Sequence, residues 1–197
     1  STQAGVSNHE AARAWHELGA SRVILARELS LEEIREAHAA APVELEAFVH
    51  GALCVSYSGQ CYLSYKIGGR SGNRGECAQP CRMLYEFIDA NGAEIAPPRH
   101  YLSLRDMNRI SALSDMIDAG ARILKIEGRL KDSGYVKNAT AAYRAALDEQ
   151  LKKRGLPRAS YGESRTEFSP DLQKTFNRVL TLQQIVLSKN GCAFKAI

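Results

Sequence analysis

The sequence predicts an α/β fold: the C-terminal part of a β/α (TIM-type) barrel, with a cysteine-rich insertion and a short atypical C-terminal tail. Three observations predict it. Short apolar runs alternate with helical stretches over short connections, the pattern of parallel β/α units. Polar residues gather where those runs end, at Arg27-Glu28, His50 to Cys54 and Glu127-Gly128-Arg129, as they do at the C-terminal strand ends of a barrel. The glycine run Gly68-Gly69-Arg70-Ser71-Gly72 follows no strand, so a dinucleotide-binding sheet has little support. A complete barrel takes about 250 residues. The 197-residue chain shows three or four repeats and opens on Ser1-Thr2-Gln3 without an initiating Met, so a fragment holding roughly the second half is expected.

Asn8 to Leu18 reads as a helix, with Ser7 or Asn8 as its cap and Gly19 as its stop. Arg22 to Ala26 is a short run of buried-strand type. Ser30 caps a second helix, with Glu32 and Glu33 in the first turn where the macrodipole favours them. Val43 to Val49 alternates Val43, Leu45, Ala47 and Val49 against Glu44, Glu46 and Phe48, the period of a strand. Regular pattern stops between His50 and Arg82, and an irregular excursion of that length is usually functional. Met83 to Ile88 is strand-like, Asn91-Gly92 signals a hairpin, and Ala93 to Ile95 returns before Pro97-Pro98. Leu104 to Ala119 reads as a helix, Ile123 to Ile126 as a strand, and Ser133 to Lys153 as a long amphipathic helix.

Composition narrows the class. Hydrophobic residues make up 45% and charged residues 24%, close to the globular average, which excludes disordered and collagen-like chains. No apolar run reaches the roughly 20 residues of a membrane helix, and no secretory signal opens the chain, so a cytoplasmic protein with no membrane partner is expected. The net charge of +4 is weak evidence for a polyanionic partner. Its distribution says more: Lys66, Arg70, Arg74 and Arg82 face only Glu76 in a glycine-rich stretch, although an ordinary solvated loop is the default reading.

Four of the five cysteines, Cys54, Cys61, Cys77 and Cys81, fall within 28 residues, spaced Cys-x6-Cys-x15-Cys-x3-Cys, with Cys192 far away. An odd count without a signal argues against a secreted disulfide framework and for thiolate ligands. Structural zinc sites pair their ligands with two to four intervening residues, which only Cys77 and Cys81 approach. Four thiols on a loop with Gly59, Gly68, Gly69, Gly72 and Gly75 suit a cubane cluster, approached from several directions. Zinc and unrelated buried cysteines are the alternatives that the pattern leaves open.

The run Glu46-Ala-Phe48-Val-His-Gly51-Ala52-Leu53-Cys54, followed after four residues by Gly59-Gln-Cys61-Tyr-Leu63-Ser64, resembles the signature of peptidase family U32, the collagenase-like proteins. Gly69-Arg70-Ser-Gly-Asn73-Arg74-Gly75-Glu-Cys77-Ala-Gln-Pro80-Cys81-Arg82 is similar to the branch of 23S ribosomal RNA hydroxylation proteins. Ser1-Thr2-Gln3, Leu25-Ala-Arg27-Glu28-Leu29 and Leu124-Lys125-Ile126-Glu127-Gly128-Arg129 resemble its other blocks, so the similarity covers residues 1–150. The resemblance implies a partial β/α barrel over 1–150, with a cluster-binding segment at 50–82, and a linker and truncated or atypical tail over 151–197. It implies a [4Fe–4S] cluster on Cys54, Cys61, Cys77 and Cys81, and oxygen-independent hydroxylation of a ribosomal RNA or tRNA base, with prephenate as a possible small anionic hydroxyl donor. A collagenase-like peptidase and a non-enzymatic Fe–S scaffold module are the alternatives. The residues argue against proteolysis: there is no His-Glu-x-x-His, no Gly-x-Ser-x-Gly, and no cysteine outside the ligand pattern except Cys192.

Candidate substrate-binding residues are Arg27, Glu28, Arg70, Arg74, Lys125, Glu127 and Arg129. Arg70 and Arg74 suit RNA phosphates or, equally, pairing with Glu76 and loop carbonyls. Lys125 and Glu127 alternate on one strand, so both point into a barrel, to bind an anionic substrate or to form buried ion pairs; the first reading is favoured. Arg27 and Glu28 follow the same logic. His50 is read as a hydrogen-bonded structural histidine rather than an acid or base. Tyr57, Tyr62 and Tyr65 are read as packed in the core rather than stacked on bases. Past Arg178 the resemblance ends, and a shifted frame or truncated gene is the expectation for 179–197.

Overall fold

A computed structural model describes residues 2–58, 60–159, 161–175 and 193–196. In chain order the elements are α1 (His9–Glu17), β1 (Arg22–Ile24), α2 (Leu31–Ala40), β2 (Glu44–Gly51), α3 (Leu63–Gly68), β3 (Tyr85–Ile88), β4 (Glu94–Arg99), β5 (Met107–Asn108), α4 (Leu113–Asp118), β6 (Ala121–Glu127), α5 (Ser133–Lys153) and β7 (Ala193–Ala196). The chain divides into two compact units. One comprises the described residues of Ser1–Leu53 and Asp106–Asn177, the other those of Cys54–Arg105 and Arg178–Ile197.

The first unit is built on a mostly parallel sheet. β2 runs parallel to β1 and to β6, and the short β5 pairs antiparallel with its last residues, His50 opposite Asn108 and Gly51 opposite Met107. Local chemistry starts α1 and α2 as the sequence predicts. The Asn8 side chain accepts the Ala11 N–H at 2.8 Å, and Ser30 and Glu33 form a reciprocal capping box on α2. Asp132 caps α5 by accepting the Tyr135 N–H at 2.7 Å. Leu45, Ala47 and Val49 of β2 join Leu25, Ile34, Leu113, Met116 and Tyr143 in one apolar core. The opposite side chains of β2, Glu46, Phe48 and His50, are buried as well, so this strand is enclosed on both faces rather than half-solvated.

Two elements differ from the expectation. Only Leu113–Asp118 of the helix expected over Leu104 to Ala119 is α-helical. Before it, Met107–Asn108 pairs with the end of β2, and Asn108 turns the chain by accepting the Ile110 N–H at 3.2 Å. A backbone bonded to a neighbouring strand cannot also bond along a helix, and Asn favours that local turn.

The second unit holds an antiparallel sheet in the order β4-β3-β7. β4 continues through Pro97 and Pro98 to Arg99 instead of stopping before them. Its place at the sheet edge explains this, since an edge strand has no partner needing the missing N–H groups. β7, from the segment expected to be atypical, pairs with all four residues of β3. The remainder of that segment, with Cys192, lies outside the described residues.

Candidate metal centre and strand-end charges

In the second unit the cysteines sit on short, tightly turned pieces of backbone. Cys61 precedes Tyr62, the cap of α3, and Cys77 and Cys81 bracket Gln79, which adopts the left-handed region at φ 59°. A single 3₁₀ turn, Pro80–Arg82, follows, and the Tyr85 hydroxyl donates to the Pro80 carbonyl at 2.9 Å. The Ser64 hydroxyl accepts the Ala78 N–H at 2.9 Å and ties this turn to α3. Arg82 donates to the Ser103 hydroxyl at 2.9 Å and the Leu104 carbonyl at 3.1 Å, which holds the last cysteine in place.

Three of the thiols lie near enough to the fourth, Cys81, to act on it. Burial pushes the Cys81 thiol up, the adjacent Arg82 pulls it down, and Cys54, Cys77 and Cys61 each push it further up. The Gln79 N–H donates to the Cys77 sulfur at 3.3 Å, the kind of contact that supports a ligating thiolate. Gly72 leaves room beside that sulfur: a Cβ there would lie 3.8 Å from Cys77 Sγ and 3.6 Å from the Cys61 carbonyl oxygen. Among the described residues, no three His, Cys, Asp or Glu side chains stand ready to hold a metal ion, so ligation requires the thiols to draw together. An all-thiol donor set with an N–H···S contact nevertheless fits an iron–sulfur cluster by its chemistry.

In the first unit, charges gather at the strand ends. Arg27 pairs with Glu127 at 2.8 Å and Lys125 with Glu46 at 2.7 Å. Phe48 meets both cations, its ring centre 4.1 Å from the Arg27 guanidinium and 5.4 Å from the Lys125 ammonium. The Arg129 backbone N–H donates to Glu127 at 2.9 Å. Alternation along β6 sends Lys125 and Glu127 to one face, and register with β2 puts Lys125 opposite Phe48. The structure thus brings Arg27, Lys125, Glu127 and the Arg129 backbone together, while Glu28 is exposed beside them. Arg70 and Arg74 are exposed on the cysteine-bearing unit, where Arg70 donates to the Glu76 carbonyl at 3.0 Å.

Sequence reading missed a buried polar layer at the ends of β2 and β5. His50 is 2% exposed; its Nδ1 lies 3.4 Å from the Tyr143 hydroxyl, and its Nε2 is buried with no hydrogen-bond partner among the described residues. Burial pushes its pKa down; Asp106 opposes and Lys131 adds to this. Asp106 and Lys131 form an enclosed ion pair at 3.5 Å. Tyr143, pushed up to about 12 chiefly by burial, bonds the Val49 carbonyl at 2.7 Å and accepts the Arg109 N–H at 3.1 Å. Arg109 also reaches the Leu29 carbonyl at 3.2 Å. No motif marks these residues, because they come from β2, the residues flanking β5, the loop after β6 and α5. Tyr57, Tyr62 and Tyr65 correct the core-packing expectation: they are 67%, 68% and 59% exposed, and on the short α3 it is Ser64, not the tyrosines, that turns inward.

One unit with a mostly parallel β/α sheet and charged strand ends, and another carrying four cysteines, define an α/β protein with a thiol-rich candidate metal centre. The family model of Peptidase family U32 matches residues 1–190, and the chain belongs to that family. The match runs past Arg178, where the resemblance in the sequence was expected to end. The chain is 47% identical over 179 residues to the 23S rRNA 5-hydroxycytidine C2501 synthase of Escherichia coli, covering 90% of this chain and 27% of that protein. It is 42% identical to tRNA hydroxylation protein P1 of Bacillus subtilis, over 75% of this chain and 36% of that protein. A Collagenase of Porphyromonas gingivalis is 39% identical, over 75% of this chain and 39% of that protein. The chain therefore spans well under half the length of these relatives. No solved structure matches it.

Proposed function

We propose that the chain is the cluster-binding part of an iron–sulfur-dependent RNA hydroxylase that modifies a base of ribosomal RNA or tRNA without molecular oxygen. Four cysteines, Cys54, Cys61, Cys77 and Cys81, on one compact unit, with the Gln79 N–H donating to the Cys77 sulfur at 3.3 Å, carry the reading. Two relatives whose names assign rRNA and tRNA hydroxylation support the substrate class. In this reading the four cysteines hold a [4Fe–4S] cluster, and the sheet belongs to a β/α barrel in a cytoplasmic enzyme.

A bound cluster supplies electron transfer or activation of the hydroxyl donor. The chain's own residues do the rest. Arg70 and Arg74 neutralise RNA phosphates. Lys125 and Arg27, each already paired with a carboxylate and set against Phe48, hold a small anionic donor of the prephenate type at the strand ends. Glu127 orients Arg27 and takes the Arg129 N–H, which fixes the loop after β6.

Anaerobic reconstitution with iron and sulfide tests the reading, with counts of iron and acid-labile sulfide and a visible spectrum for the wild type and Cys77→Ala. About four irons per chain, lost in the variant, are expected. Tightly bound zinc, or no metal in demonstrably folded protein, refutes the redox chemistry.

A further inference from the structure

We infer that Tyr62, Tyr65 and Lys66 form a stacking surface for an unpaired stretch of RNA; the inference rests on RNA being the substrate and goes beyond it by naming where unpaired bases lie. The three residues are spaced i, i+3 and i+4 from the start of α3, so they share one face of that turn. Ser64 takes the other face: it is 2% exposed and anchored by the Ala78 N–H. The short helix is thus pinned from behind and shows two large aromatic side chains outward. Three of the eight tyrosines in the chain fall between residues 57 and 65, and all three are exposed, whereas Tyr85, Tyr135 and Tyr143 are buried.

Charge decides the partner. Lys66 stands among the aromatics, and Arg70 and Arg74 are exposed a few residues on, against Glu76 alone. Lysine is depleted from the cores of protein–protein interfaces. Aromatic faces interleaved with cations are instead what single-stranded nucleic acid uses, because every base offers a π-face and every linkage a negative charge. A duplex hides its base faces, so the surface selects loops, bulges or ends.

The test is fluorescence anisotropy of the full chain with a labelled single-stranded RNA of mixed sequence and with the same sequence in duplex. Wild type is expected to prefer the single strand. Tyr62→Ala/Tyr65→Ala is expected to bind it about tenfold more weakly or worse. Tyr62→Phe/Tyr65→Phe should retain the affinity, since stacking needs the ring and not the hydroxyl, and Lys66→Ala should lower the slope of log affinity against log salt by about one. Equal binding by the wild type and the double alanine variant overturns the surface while leaving RNA as the substrate. So does sedimentation showing a wild-type dimer that the double alanine variant abolishes without loss of RNA binding. A wild type that binds no RNA at all overturns both.

Discussion

His50 is a buried base with one ring nitrogen near a tyrosine hydroxyl and the other without a hydrogen-bond partner among the described residues. Asp106 and Lys131 are the charged groups acting on it; burial, aided by Lys131, outweighs Asp106 and lowers its pKa below the usual value near 6.5. The fold therefore favours the neutral ring, and the unfolded chain takes up more protons as pH falls through about 6.5. Stability from this group is present above that pH and is lost progressively as pH falls toward the depressed native value. His50→Phe, which keeps a ring against Tyr135 and Tyr143, is expected to flatten the dependence of the urea midpoint between about pH 7.5 and 5.5; an unchanged slope assigns the dependence to other groups. Tyr143→Phe removes the hydroxyl that serves the Val49 carbonyl and the Arg109 N–H. The Arg109 N–H still donates to the Val49 carbonyl at 2.9 Å, so only the hydroxyl's own bonds are lost, which is expected to cost about 1 kcal/mol in urea unfolding.

Among the elements, the junction of β2 and β6 is the most constrained. Gly51 has φ 106°, and a Cβ there would lie 2.2 Å from the Glu127 carbonyl oxygen, so the two strand ends meet over a residue that must lack a side chain. Gly51→Ala is expected to lose at least about 2 kcal/mol of stability and to displace Glu127 from Arg27. Denaturant unfolding, with a crystal structure of the variant, checks both. The start of α2 is a milder case. Ser30→Ala breaks the capping box with Glu33 and is expected to cost about 1 kcal/mol, read from the urea midpoint.

Across the whole molecule the division between the two compact units falls at Leu53–Cys54, at Arg105–Asp106 and at Asn177–Arg178, so the signature run ends one unit and opens the other. In the proposed reading, the cysteines that hold a cluster all belong to the second unit. Hydrogen exchange of reconstituted against metal-free protein is therefore expected to show new protection within Cys54–Arg105 and none along β2; protection spread evenly over both units would contradict it. No helix among the described residues is long and apolar enough to cross a membrane.

Much of this was legible in the chain itself, for a physical reason: caps, periodicity and turn residues act over a few positions. Ser30 with Glu33, Asn8, the alternation of Lys125 and Glu127, and the bounds of α5 at Ser133 and Lys153 all follow from neighbours within one or two turns. Contacts between residues distant in sequence were decided only by the tertiary structure. Met107 and Asn108 became a strand because β2 offered them a ladder, and Glu46 and Phe48 became buried because β6 and Arg27 brought charges to meet them. His50, Asp106, Lys131 and Tyr143 form a layer that no local spacing encodes. The exposure of Tyr62 and Tyr65 was equally hidden, since a tyrosine's spacing does not say whether its face of a helix meets a core or water.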